Sequence, residues 1–221
     1  NRYDVAIVGL GPVGAMLAAL LGRQGWSVLA LERNLVVYPE PRAAHVDGEI
    51  VRIFQKLGLA GHITPHIRPA PPYEFRNKAG NILMRVPEAE IGTDGWFTHY
   101  LIYQPGLEVA LRQIIAGLPN VETRLGASVS SHSQEASDVT LTYSTGGEEH
   151  TARATWLIGC DGGSSIVRRT AGIDLDDYGF DEPWLVIDAL VADDALLPAE
   201  CVQYCHPERP TTYTLLGPGR H

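Results

Sequence analysis

Apolar runs at the start of the chain alternate with short glycine-containing turns. Residues 3–9 form an apolar run that ends in glycine, which predicts a buried strand. Residues 13–24 are rich in alanine and leucine and predict a helix, and residues 27–31 predict a second buried strand that ends at Glu32. Because such crossovers are right-handed, we expect the two strands to be parallel neighbours.

The pattern is less regular after Glu32. Two prolines in residues 36–42 predict an extended loop, and the asparagine- and glycine-containing turn within residues 73–86 predicts a hairpin. Apolar residues at helical spacing predict helices over 47–57 and 104–117, and a short one after residue 166. Short strands are predicted at 121–129, 139–143, 149–153, 155–160, 186–192, 201–205 and 211–216. The fold class is therefore α/β, with a Rossmann-like parallel sheet, a small antiparallel β-meander and, from residue 184 onward, the start of a β-rich domain.

Composition excludes several classes of function. The 221 residues include 45% hydrophobic side chains and carry a net charge of −9, which argues against nucleic acid or an anionic membrane as a partner. No apolar run reaches the ~20 residues of a membrane span, and no signal peptide is visible. Three cysteines are too few for a disulfide framework, so we expect a reducing, cytoplasmic compartment.

One cluster of residues resembles a metal motif. Cys201, Cys205 and His206 have ligand chemistry, but no second pair of ligands with matching spacing accompanies them. We therefore predict ordinary strand residues there and no metal site.

The first glycine loop has the spacing of a dinucleotide fingerprint. In GLGPVG, Gly9 permits a tight turn, Gly11 lets the backbone approach a pyrophosphate, and Gly14 lets the helix pack against the strand. The helix N-terminus supplies free N–H groups to the phosphates. Glu32 can accept hydrogen bonds from a ribose 2′-OH and repels a 2′-phosphate. An ADP-containing ligand is indicated, and the loop alone does not distinguish NAD from FAD.

A second strand–glycine–helix junction occurs at Asp161-Gly162. Asp161 could accept a bond from a ligand hydroxyl, whereas Asp-Gly is also a favoured turn pair, and both interpretations stay open. A nicotinamide dehydrogenase usually continues with further strand–helix units, but here loops and small antiparallel strands intervene. This continuation favours FAD.

Five motifs in fixed order resemble a known family: GLGPVG at 9–14, ER at 32–33, PR at 41–42, QPGLE at 104–108 and CDGGSSIVRR at 160–169. Together they resemble the class A flavoprotein aromatic hydroxylases, the single-component FAD monooxygenases of the p-hydroxybenzoate hydroxylase type. The similarity is greatest to the branch that acts on 3-(3-hydroxyphenyl)propionate and polyketide phenols.

The resemblance implies a set of FAD contacts. The pyrophosphate would lie against Gly9, Gly11, Pro12, Val13 and Gly14. Glu32 would hold the adenosine ribose, Arg33 would lie beside the adenine, and the backbone of Val129 would meet the adenine.

The same resemblance implies contacts toward the flavin. Arg42 would meet the phosphate–ribityl side, Gln104 would lie near the ribityl chain, and Asp161 with Gly162 would contact FAD and take part in NAD(P)H use. No residue is identified as catalytic, since Tyr204 and Tyr213 are as consistent with strand packing as with phenol activation.

The implied activity is hydroxylation of a phenolic substrate with NAD(P)H and O2, through a flavin C4a-hydroperoxide. Residues 1–175 would form the FAD-binding domain, with inserted β segments at about 70–103, and residues 176–221 would begin a substrate-binding sheet. The family's later glycine–aspartate segment does not occur in this sequence, so we expect a fragment of a longer enzyme. A homodimer of that enzyme is left open. The alternatives are a nucleotide-binding module without turnover and a reductase or halogenase of the same fold.

Overall fold

The computed structural model describes residues 2–190, residue 193 and residues 197–216. The chain divides into two compact units, unit 1 with residues 1–39 and 108–184 and unit 2 with residues 40–107 and 185–221. The helices are α1 Pro12–Arg23, α2 Gly48–Lys56, α3 Ala60–Ile63, α4 Gln104–Ala116 and α5 Ile166–Thr170. The strands are β1 Arg2–Val8, β2 Val28–Glu32, β3 His45–Asp47, β4 Ile67–Pro69, β5 Tyr73–Asn77, β6 Ile82–Val86, β7 His99–Ile102, β8 Val121–Leu125, β9 Ser128–Gln134, β10 Val139–Thr145, β11 Glu148–Gly159, β12 Cys201–Cys205 and β13 Thr211–Tyr213.

Unit 1 is built on a six-stranded sheet of order β8-β2-β1-β11-β10-β9. The four strands from β8 to β11 are parallel, and β10 and β9 continue the sheet in antiparallel fashion. Every residue of β2 is buried, as expected for a strand covered on both faces. The predicted crossover from β1 through α1 to β2 is confirmed.

Small residues let α1 lie close to its surroundings in unit 1. Its buried positions are Gly14, Ala15, Ala18, Ala19 and Gly22. A Cβ on Gly22 would collide with the side chain of Val121, so glycine is needed there for close packing. The helix begins with Pro12 in its first turn, where a missing N–H has no consequence.

Two strand predictions for unit 1 were wrong in detail. The expected strands at 149–153 and 155–160 are one continuous strand, β11, whose first half pairs antiparallel with β10 and whose second half pairs parallel with β1. The expected strand at 121–129 is two strands, because Gly126 has a φ of 72° and turns the chain between them.

Unit 2 contains two smaller sheets. One is antiparallel with the order β3-β7-β4, and the other has the order β13-β12-β5-β6. The predicted hairpin of β5 and β6 is confirmed, and β12 pairs with β5 in parallel. The segment expected as an insert in the FAD-binding domain therefore shares a sheet with the segment expected to begin the substrate domain.

The strand prediction at 186–192 was wrong for residues 186–189, which form no regular structure, and residues 191 and 192 lie outside the described residues. The apolar pattern there does not reflect burial, since Leu185 and Ile187 are largely exposed. The strand expected at 211–216 is shorter and ends at Tyr213. No helix in the described part of the chain has the length and apolar character needed to span a membrane.

Candidate cofactor-binding site

Three loops of unit 1 meet at the carboxyl edge of the parallel sheet. They follow β2, β1 and β11, which are neighbours in that order. From β1 the chain runs to β2 on one side, and β11 lies on the other side, so the edge beyond β1 is a topological switch point. Ligands of open α/β sheets bind at such points. The glycine loop, Glu32 and the Asp161 turn are therefore brought together.

Two glycines of the glycine loop are required by packing within the protein, and the third faces open space. Gly9 has a φ of 93°, and a Cβ there would collide with the backbone of Cys160. A Cβ on Gly14 would collide with the carbonyl oxygen of Gly9. A Cβ on Gly11 would meet no protein atom within 4 Å. No described protein atom therefore requires a glycine at this position, and the space beside Gly11 is open to a ligand.

The start of α1 fits a pyrophosphate. Gly11 is the N-cap residue and offers no side chain to the first-turn N–H groups, while Pro12 follows it. The N–H groups of a first helical turn have no intrahelical partner and carry partial positive charge. Val13 is 70% exposed although apolar, so this end of the helix is accessible. The open space at Gly11 and these donors match the requirements of FAD phosphates.

Glu32 connects the end of β2 to the glycine loop. It is 7% exposed, and its Oε2 accepts a hydrogen bond of 2.8 Å from the backbone N–H of Leu10. Its Oε1 accepts one of 2.9 Å from the N–H of Asn34. Each carboxylate oxygen has a second lone pair, so Glu32 can hold the loop and accept a ribose hydroxyl together.

Arg112 contacts the glycine loop, and the sequence did not indicate this contact. This residue of α4 donates from its Nη2 to the carbonyl oxygen of Leu10 at 3.3 Å. Its Nε is buried and, among the described residues, has no hydrogen-bond partner. The available signal was an arginine within the otherwise largely apolar helical stretch of residues 107–115.

Asp161 accepts hydrogen bonds at the start of α5, whose N-cap residue is Ser165. Its Oδ2 accepts from the N–H of Ile166 at 2.6 Å, and its Oδ1 accepts from the hydroxyl of Ser165 at 2.6 Å. Gly162 has a φ of 81°, which explains the glycine by turn geometry. The turn interpretation therefore accounts for both residues, and their contact with FAD stays a prediction.

Cys160 lies between the two glycine loops. Its N–H donates to the carbonyl oxygen of Val8 at 2.7 Å, which extends the pairing of β11 with β1. Burial raises the pKa of the Cys160 thiol, and the neighbouring charge of Asp161 raises it further. The thiol is therefore protonated near neutral pH.

Arg33 and Val129 occupy different surroundings in unit 1. Arg33 is exposed directly after Glu32. The side chain of Val129 packs against the core, and its backbone pairs with Tyr143. The N–H of Ala127 donates to the carbonyl oxygen of Glu32 at 2.9 Å, so the start of β9 lies near the end of β2. Adenine contacts by Arg33 and Val129 stay predictions.

Arg42 and Gln104 are connected within unit 2. Gln104 is 8% exposed, and its Oε1 accepts from the N–H groups of Arg42 at 3.0 Å and Ala43 at 2.6 Å. The Arg42 side chain is exposed. Gln104 thus fixes the backbone of the proline-containing loop, a function that the sequence did not indicate.

The expected strand character of residues 201–205 is confirmed. Cys201 is buried and Cys205 is exposed, and four residue-to-residue steps of strand separate their Cα atoms by roughly 13 Å, too far for a shared ion. His206 Nδ1 accepts from the N–H groups of Glu208 and Arg209. Tyr213 donates from its hydroxyl to the carbonyl oxygen of Pro198, while Tyr204 is partly exposed.

Comparisons with known proteins agree with this geometry. A family model described as "FAD binding domain" matches residues 2–221. A "Probable NADH-specific resorcinol 4-hydroxylase" of Rhodococcus jostii (strain RHA1) is 43% identical over 100% of this chain and 42% of its own length. A 3-(3-hydroxy-phenyl)propionate/3-hydroxycinnamic acid hydroxylase of Klebsiella pneumoniae subsp. pneumoniae is 34% identical over 99% of this chain and 39% of its own length. The chain thus spans about two fifths of these curated relatives.

The fold also has a counterpart among solved structures. The p-nitrophenol 4-monooxygenase PnpA from Pseudomonas putida DLL-E4 aligns with a TM-score of 0.83 and 24% identity, over 100% of this chain and 56% of that one. At this identity the likeness shows a shared fold, and the predicted α/β class is confirmed. With the family model matching nearly every residue, the chain belongs to the FAD binding domain family.

Proposed function

We propose that this chain forms the FAD-binding part of an enzyme that hydroxylates a phenolic ring with NADH and O2. The observation that carries the proposal is the open space at Gly11, beside a buried Glu32 that accepts the N–H of Leu10. An open backbone position beside a carboxylate suits the pyrophosphate and the unphosphorylated ribose of FAD. Two relatives with hydroxylase names support the phenolic substrate, and the NADH-specific name of one supports NADH.

In this proposal FAD lies along the carboxyl edge of β1. Gly11 and the first turn of α1 hold the pyrophosphate, and Glu32 accepts the ribose hydroxyls. Arg33 and the backbone of Val129 flank the adenine, while Asp161 and Gly162 border the cofactor from the loop after β11.

Two further residues are assigned to the flavin half of the cofactor from the family resemblance. Arg42 would meet the phosphate–ribityl side, and Gln104 would keep the Arg42 backbone in place through its two accepted hydrogen bonds. We propose residues 1–175 as the functional FAD-binding domain and residues 176–221 as the start of the substrate-binding sheet. We also propose a cytoplasmic location, since all three cysteines are free.

When bound, FAD would supply the redox chemistry that couples oxidation of NADH to reduction of O2. Overall, a ring C–H, O2, NADH and a proton give a ring C–OH, water and NAD⁺. The described residues bind and orient the cofactor, and we assign no catalytic residue among them.

The test is substrate-dependent NADH oxidation by the purified full-length protein. Resorcinol and 3-(3-hydroxyphenyl)propionate should each be compared with buffer alone, and products should be identified by mass spectrometry. We expect faster NADH oxidation with one phenol and a product heavier by one oxygen atom. A flavin-loaded protein that oxidises NADH equally with and without phenols, or forms no hydroxylated product from any phenol, would contradict the proposal.

A further inference from the structure

Two strands of unit 2 bring two histidines and an aspartate together. In β3, His45 and Asp47 are two residues apart and therefore share one face. Asp47 pairs directly with His99 of β7. His45 is the diagonal neighbour of His99 across the same pair of strands, within reach of long side chains.

The ligand atoms of these three side chains converge. His45 Nε2 lies 3.3 Å from His99 Nδ1, His99 Nδ1 lies 3.6 Å from Asp47 Oδ1, and His45 Nε2 lies 3.9 Å from the same oxygen. In a tetrahedral zinc site with bonds of 2.0–2.1 Å, neighbouring ligand atoms are roughly 3.4 Å apart. The three atoms thus match three corners of a tetrahedron.

The Asp47 side chain is also not used to cap its helix, which leaves its carboxylate available to a ligand. It is the N-cap residue of α2, where an aspartate normally accepts a first-turn N–H, but its side chain makes no capping hydrogen bond. The carboxylate faces the histidine pair instead.

The backbone that carries the three side chains is constrained. The N–H of Gly48 donates to the carbonyl oxygen of Thr98 at 3.1 Å, directly beside Asp47 and His99. A Cβ on Gly48 would collide with the carbonyl oxygen of Phe97. The close approach of the two segments therefore fixes the spacing of the ligands.

We propose that His45, Asp47 and His99 bind a divalent transition-metal ion, with Zn²⁺ as the best match. Two imidazoles and one carboxylate are a donor set that suits zinc. Between one third and two thirds of each side chain is exposed, so an ion can enter and the fourth position remains open to water. None of these three residues is among those proposed to bind FAD.

The alternative is a hydrogen bond between the two imidazoles without any ion, in which one ring donates to the other. The two cases differ in a direct binding measurement. Isothermal titration of Zn²⁺ into the flavin-loaded full-length protein, in a buffer without chelators, should show binding at one equivalent that is lost in the cluster variants.

The variants are His99→Ala, His45→Ala and Asp47→Asn, with His62→Ala as the matched control. His62 is an exposed histidine of α3 that is not part of the cluster. We expect each cluster variant to weaken zinc binding by at least about tenfold, and the control to bind as the wild type does. Circular dichroism should show that the variants are folded, and three separate substitutions keep the test valid if one fails to fold.

If the wild type does not bind zinc, the proposal is overturned. Equal affinity in the folded cluster variants and in the His62→Ala control would overturn it as well. Neither result bears on FAD binding, so this test is separate from that of the proposed function.

Discussion

The carboxylate of Glu32 accepts a hydrogen bond from the backbone N–H of Leu10, across 22 positions of sequence. This bond ties the end of β2 to the loop after β1, and the same carboxylate also receives the N–H of Asn34. Glu32 therefore shapes the glycine loop before any ligand binds. Its hydrogen bonds are structural, and binding of the ribose is the role that we propose for it in addition.

Replacement of Glu32 by glutamine should destabilise the fold. Glutamine has one acceptor oxygen where the carboxylate uses two, so one backbone N–H loses its partner, at a cost of about 1–3 kcal/mol in the free energy of unfolding. Urea unfolding of the apoprotein measures this, with the exposed Glu149→Gln as control. Equal stability of Glu32→Gln and Glu149→Gln would show that these hydrogen bonds do not support the loop.

Replacement of Gln104 by alanine should loosen the segment around Arg42. The N–H groups of Arg42 and Ala43 would lose their shared acceptor, so hydrogen exchange and trypsin cleavage at Arg42 should accelerate. Gln104→Glu keeps an acceptor and should remain protected. The assignment of this role to Gln104 fails if both variants exchange at the wild-type rate.

The cysteines should differ in their reactivity toward iodoacetamide. Burial and the charge of Asp161 raise the pKa of Cys160, so its thiolate fraction is small near neutral pH and grows only as the pH is raised into the alkaline range. Cys205 is exposed and should be labelled first. Peptide mass spectrometry of the native protein follows both sites. If Cys160 is labelled as fast as Cys205 near neutral pH, the prediction is wrong.

Acid stability should depend on Tyr3 and Glu122. The hydrogen bond from the Tyr3 hydroxyl lowers the pKa of Glu122, with a further contribution from Arg124, although burial acts in the opposite direction. A lowered folded-state pKa gives stability that is present above the unfolded pKa, about 4.3, and is lost as the pH falls through the folded value.

Tyr3→Phe should therefore be less stable than the wild type near neutral pH, and the difference should shrink on acidification below about pH 4. Urea unfolding at a series of pH values measures this. A difference that is constant across that range would mean that Tyr3 acts through packing alone.

The sequence predicted the part of the site that depends on local chemistry. Gly9, Gly11 and Gly14 follow a buried strand and precede a helix, and Glu32 ends the next strand. Each of these features depends only on residues that are close together in the sequence. The contacts of Gly9 and Gly14 with the rest of unit 1 agree with the roles expected from their spacing.

The features that sequence reasoning missed depend on distant residues. β11 is continuous because it has two different partners, β10 and β1, along its length. Arg112 reaches Leu10 only through the packing of α4, and His99 meets Asp47 only through strand pairing. For Asp161 the turn interpretation, which was also open, explains the observed hydrogen bonds.

In the proposed function the FAD pyrophosphate would lie against Gly11, and a substitution there separates binding from folding. A Cβ on Gly11 would meet no protein atom within 4 Å, so Gly11→Ala should still fold as an apoprotein, with a slightly lower thermal midpoint because alanine is a poorer N-cap residue than glycine. The added methyl group would occupy the space in which the backbone approaches the phosphates.

The most direct test is therefore the dissociation constant of FAD for the wild type and for Gly11→Ala, measured by flavin fluorescence on the full-length apoprotein. We predict that the wild type binds FAD at one equivalent and that the folded variant binds it about tenfold more weakly or worse, a loss of about 1.4 kcal/mol or more. Equal affinity of the two proteins, or no binding of FAD by the wild type, would contradict the account.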